Sequence, residues 1–135
     1  MKKIYNEDYY MYRLCNIKGI GRASVRKLVD FFGSAYNVSK ADINILKKTG
    51  ILNGRQIDEF AFSMKNKDNI YKYEDMIKNG CNWISINNNN YPERLHNIDD
   101  APLGLYCRGN LPPDDRLSVA IIGSRNCSLY GRRMA

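Results

Sequence analysis

The feature that most constrains this chain lies near its end, where Leu117-Ser-Val-Ala-Ile-Ile-Gly-Ser-Arg125 carries an apolar run into a glycine turn. Val119, Ala120, Ile121 and Ile122 have the unbroken apolar character of a strand buried on both faces, the kind found inside a parallel sheet. Gly123-Ser124-Arg125, followed by helix-compatible residues, then resembles the first βα turn of a nucleotide- or phosphate-binding α/β sheet. A parallel neighbour requires a crossover of about a dozen residues or more, and only the short stretch up to Ala135 remains. The expectation is therefore the front part of a longer protein, with much of its function beyond Ala135.

With 135 residues, there is room for one ordinary domain, or a small one and a piece of another. The 21 basic and 14 acidic side chains give a net charge of +7. Residues 1–80 hold 15 of the basic and 9 of the acidic residues, so attraction for phosphate is concentrated there. Cys15, Cys81, Cys107 and Cys127 form no CxxC pair, and His96 is the single histidine. That pattern predicts free thiols in a reducing compartment and no metal site. No apolar run is long enough to span a bilayer, and Met-Lys-Lys is soon followed by Asn6-Glu7-Asp8 rather than by a signal core. These features predict a cytoplasmic protein without a membrane partner.

Helical spacing recurs through the first 80 residues. Asn6 reads as the cap of a helix bearing Tyr9, Tyr12 and Cys15, broken at Gly19-Ile20-Gly21. Val25, Leu28, Val29 and Phe32 mark a second helix stopped by Gly33. Ser34–Val38 reads as a short turn or helix, and Ser39-Lys-Ala-Asp42 as the start of a short helix ending at Leu46. After a break at Thr49–Leu52, one helix carries Ile57, Phe60, Ala61 and Met64. Another carries Ile70, Tyr73, Met76 and Ile77 and ends at Asn79-Gly80. Beyond a boundary between Gly80 and Cys81, three strands are expected: Trp83–Ile86, Leu103–Cys107 and Leu117–Ile122. A turn of helix after Tyr91-Pro92 lies between the first two.

Ile17-Lys18-Gly19-Ile20-Gly21-Arg22 followed by an amphipathic helix resembles the helix-hairpin-helix family of DNA-binding motifs. The glycines permit a tight hairpin, Ile20 plugs it, and unpaired N–H groups opening the next helix can meet a phosphate oxygen. Lys18, Arg22, Arg26 and Lys27 add positive charge. Such a contact grips the sugar-phosphate backbone and carries little base information. Leu46–Arg55 is a degraded second copy, its glycines too widely spaced. The alternative is that both hairpins are only turns holding short helices together.

Taken alone, Gly123-Ser124-Arg125 lacks both the GxGxxG and Walker A patterns and fits an ordinary strand-to-helix turn as well as an anion cradle. In order along the chain, however, come Tyr91-Pro-Glu-Arg-Leu95, Asp100-Ala-Pro-Leu-Gly-Leu-Tyr-Cys-Arg-Gly109, Val119–Arg125 and Ser128-Leu-Tyr-Gly131. This succession closely resembles the DNA-processing protein A (DprA, or Smf) family, and the helical part resembles its small leading domain. The resemblance implies an α+β chain: an N-terminal all-α helix-hairpin-helix (SAM-like) bundle at 1–80, then the first strands of a truncated Rossmann-like α/β domain at 81–135. It further implies binding of single-stranded DNA in natural transformation and recombination, and loading of the RecA recombinase by full-length members. No catalytic residue, cofactor or metal is implied. Arg125 would contact the DNA backbone, with Gly123 and Ser124 shaping the turn. Lys18, Gly19, Gly21 and Arg22 complete the candidate DNA-binding set. The family's later Ser-Gly-x-Ala-x-Gly-Ile-Asp region is not in this sequence.

Rival expectations are a nucleotide- or phosphoribosyl-handling enzyme fragment on a similar fold, and a scaffold module that binds no nucleic acid. His96 has no evident nucleophile partner and is expected at the surface or in a cap. The tyrosines suit packing better than base stacking. Asp99-Asp100 and Asp114-Asp115 are expected as solvated turn residues, and Tyr91, Pro92 and Leu95 as packing groups. An unpaired Leu117–Ile122 strand predicts weak self-association or disorder.

Overall fold

The structure, a computed structural model, describes residues 5–113 and 115–134. Six helices come first: α1 (Glu7–Cys15), α2 (Arg22–Phe32), α3 (Ala35–Lys40), α4 (Ile43–Thr49), α5 (Gly54–Lys65) and α6 (Asp68–Lys78). Two strands follow, β1 (Cys81–Ser85) and β2 (Gly104–Arg108), with α7 (Glu93–His96) between them and α8 (Leu129–Met134) near the end. The strands pair antiparallel, with Cys81 opposite Arg108 and Trp83 opposite Tyr106. No described helix is long and apolar enough to cross a membrane.

Local chemistry sets most helix boundaries. Asn6 accepts from the Tyr9 amide and opens α1, whose first turn carries Glu7 and Asp8 against the helix dipole. Ser34 caps α3 through the Asn37 amide at 3.0 Å, while the Glu7 carboxylate accepts from Ala35 and Tyr36 N–H of the same helix. One expectation fails here. Ser39 and Lys40 close α3 instead of opening a helix, Ala41 is extended, and Asp42 caps α4 through the Asn44 amide at 2.7 Å. α4 then continues to Thr49, past Leu46. The reciprocal capping box lies at Asn53 and Gln56, opening α5.

Met11, Leu14, Ile17, Ile20, Val25, Leu28, Leu46, Ile57 and Phe60 form one core with Leu103 from beside β2. The sheet is thus packed onto the helices. Asp8, buried in α1, accepts from the Ser85 amide at 3.0 Å and from the Asn88 side chain, fixing the end of β1. Arg13 donates to the carbonyls of Ser63 and Met64 at 2.8 and 2.7 Å, placing a cation at the C-terminal end of α5. α6 has no fully buried residue, and Ile77 is exposed.

Aromatic rings line the seam between α1, α6 and the sheet. Tyr9 and Tyr12 both meet Tyr73 edge-on or tilted, and Tyr12 meets Trp83 at 5.5 Å. These tyrosines pack, as expected, while Tyr36 and Tyr71 stay exposed. The Trp83 indole packs against Gly104, where a Cβ would fall 2.1 Å from the ring. Only glycine leaves that space.

Residues 117–122 form no strand. Leu117 is 97% exposed, Val119 90% and Ile122 93%. An apolar run becomes a strand only when another strand takes up its N–H and C=O groups, and the described residues offer this one no ladder. The two strands that do form are antiparallel, so no parallel Rossmann-like sheet is present among the described residues.

Candidate nucleic-acid interface

Asn16–Gly21 links α1 to α2 in a compact hairpin, with the Ile20 amide donating to Ile17 O at 3.3 Å. Ile20 is buried in the core and anchors it, as its position between the glycines predicts. The glycines serve different purposes. Gly19 has φ +77°, a left-handed conformation that side chains disfavour. Gly21 is the extended N-cap of α2 with open space where a Cβ would go, so crowding does not require glycine there. It leaves α2 without a side-chain cap, and that helix also lacks an acidic residue in its first turn. Unpaired amides therefore open α2 beside exposed Lys18 and Arg22.

The degraded second hairpin turns out to be the neighbour of the first. Gln56 Nε2 of α5 donates to Gly19 O at 2.9 Å. Lys18, Gly19, Asn53, Arg55, Gln56 and Glu59 line a shallow hollow of about 340 Å³ between the two turns. Asn53 and Gln56, spaced as a capping pair in the sequence, were the available signal for this juncture.

Arg22 is not solitary. Its guanidinium pairs with Asp100, and Arg26 donates to Ala101 O at 2.7 Å. Asp100 is therefore engaged, not merely solvated, in contrast to the expectation for that pair; Asp114 lies outside the described residues. His96 is exposed, with its ring near Tyr91. Tyr91 is buried and donates to Pro102 O at 2.8 Å, the packing role expected of it.

The second candidate element is separate. Gly123, Ser124 and Arg125 are exposed, and the Ser124 hydroxyl donates to Asn126 O at 2.9 Å. α8 begins only at Leu129, with the Ser128 hydroxyl accepting from Gly131 N–H, so the Gly-Ser-Arg turn does not open directly into a helix. Among the described residues, no hydrogen bond or ion pair joins these residues to Lys18, Gly19, Gly21 or Arg22. Arg94 of the Tyr-Pro-Glu-Arg-Leu segment donates to Arg116 O and Ser118 Oγ, both at 3.3 Å.

The four cysteines are unpaired. Burial pushes the Cys15 thiol up to about 12, so it carries no nucleophilic thiolate at neutral pH. Burial likewise raises Tyr9, Tyr12 and Tyr73 above the ordinary phenol value.

By architecture, this is an α+β protein in which a bundle of short helices carries a two-stranded antiparallel sheet. Residues 82–135 match the family model described as DNA recombination-mediator protein A. Protein Smf of Borreliella burgdorferi is 42% identical over 43 residues, which make up 32% of this chain and 14% of that protein. The match thus spans a small part of the curated relative's length. No solved structure matches the chain. Residues 82–135 are thus similar to the DprA/Smf family.

Proposed function

We propose that the chain contributes to DNA recombination by holding single-stranded DNA through its sugar-phosphate backbone, without catalysis. The observation that carries this reading is the family match over residues 82–135, which takes in Gly123, Ser124 and Arg125. In this reading, residues 1–80 form a leading helical unit and 81–135 the opening of a DNA-binding unit. Arg125 supplies a forked donor for phosphate, Gly123 and Ser124 set its turn, and Lys18, Gly19, Gly21 and Arg22 form a second contact. The uncapped start of α2 and its exposed cations support that contact. The wider context proposed is natural transformation in the cytoplasm, with the RecA recombinase as the eventual partner of the full-length protein and self-association through the open apolar tail.

Fluorescence anisotropy against labelled single- and double-stranded oligonucleotides at two salt concentrations tests it. Single strands are expected to bind more weakly as salt rises, with a logarithmic slope of roughly 0.7 per phosphate neutralised. Arg125→Ala and the Lys18→Ala/Arg22→Ala pair should each weaken binding. Absence of salt-dependent binding to either nucleic acid would overturn the proposal and favour a scaffold role.

A further inference from the structure

The helix starts in this molecule are treated unequally. α1 has Glu7 and Asp8 in its first turn, α3 receives the Glu7 carboxylate, α4 has Asp42, and α5 has the Asn53–Gln56 box. α2 has no such group of its own, neither a capping side chain nor an acid in its first turn. Yet a carboxylate does reach its first residue from 78 positions away: Asp100 pairs with Arg22. One turn further along the helix, Arg26 holds Ala101 O.

The loop carrying Asp100 is well anchored. Ala101 is 1% exposed, Pro102 O accepts from the buried Tyr91, and Leu103 enters the core. Its carboxylate is not: the side chains of Arg22 and Asp100 are 59% and 68% exposed. A pair so exposed is weak and easily exchanged, while its backbone support keeps the carboxylate close after it is displaced.

We propose that Asp100 is an internal stand-in for phosphate, an autoinhibitory contact that occupies Arg22 until a nucleic-acid backbone displaces it. The inference rests on the proposed phosphate contact at the first hairpin and adds a competitor to it. Rearrangement is confined to two solvent-facing side chains, because Ala101 and Leu103 stay in place. A single small anion, with one charge to offer, competes poorly. A single-stranded polyphosphate engages Lys18 as well as Arg22 and so gains from two cations when Asp100 yields.

The test is a double-mutant cycle on the 135-residue chain, read by anisotropy with a labelled oligothymidylate at low salt. Asp100→Asn should tighten binding by about two- to five-fold, the range set by the strength of an exposed ion pair. Asp99→Asn, which removes the same charge from the same loop, should have a smaller effect. The benefit of Asp100→Asn should disappear in an Arg22→Ala background. If Arg22→Ala weakens binding but Asp100→Asn does no more than Asp99→Asn, or retains its gain without Arg22, the competitor is overturned and the hairpin contact stands. If neither Arg22→Ala nor Lys18→Ala changes binding, the hairpin contact itself fails and the competitor with it.

Discussion

The helical body and the tail after Asp115 use similar apolar residues to opposite ends. Val25 and Leu28 are 1% exposed, whereas Leu117 and Ile122 are 97% and 93% exposed. The body succeeds because a helix satisfies its own backbone and needs only a stripe of apolar side chains to dock. The tail needs partner strands before its apolar residues have anywhere to go. Between the two lies the antiparallel sheet, which forms because two strands with a helical surface beneath them suffice.

That contrast can be broken most decisively in the core. Phe60→Ala should destabilise the protein by about 3–5 kcal/mol, while Ile121→Ala should cost less than about 0.5 kcal/mol. Urea denaturation of both variants compares them, and equal losses would mean that the tail is packed as firmly as the body. Hydrogen exchange across 117–122 should be fast and across α5 slow. Next comes the joint between helices and sheet: Asp8→Ala strips the Ser85 amide of its charged acceptor and should cost about 2 kcal/mol. A negligible loss would assign the joint to the aromatic seam alone.

The last expected effect is alkaline and vanishes at neutral pH. The folded state raises the Cys15 thiol from 9.0 to about 12, so unfolding releases its proton at high pH. The sign follows: this group leaves stability unchanged well below pH 9.0 and lowers it as pH rises from there toward about 12. Tyr9, Tyr12 and Tyr73 act in the same direction. Melting temperatures followed from neutral to alkaline pH should fall, and less steeply for Cys15→Ala. At neutral pH, exposed Cys127 should react with a thiol reagent well before Cys15.

Much of the helical body was legible because its signals are local. Asn6, Gly33 and the plug at Ile20 act within a few positions of themselves, and the structure uses them as the sequence pattern indicates. The displaced start of α4 shows the limit of such signals, since Ser39 and Asp42 are both good caps and only the extended backbone at Ala41 decides between them. The β-strand at Leu117–Ile122 was misjudged because apolar character describes a side chain's preference and not the supply of partners. At the candidate interface the hairpin itself was readable, but its engagement by Asp100 and its abutment on Gln56 were not. Those contacts join residues 78 and 37 positions apart, and no periodicity connects them. Arg13 at the end of α5 and Asp8 at the end of β1 escaped for the same reason.

Trp83, the chain's single tryptophan, packs against Gly104 and lies within ring contact of Tyr12 and Tyr106. That placement gives the molecule a built-in optical gauge at the place where its helices and sheet meet. Excitation absorbed by the surrounding tyrosines drains to one indole, so its emission reports whether the two parts are still joined. Separation of sheet from helices should shift that emission to the red before the helical signal is lost, whereas collapse of the whole molecule should move both together.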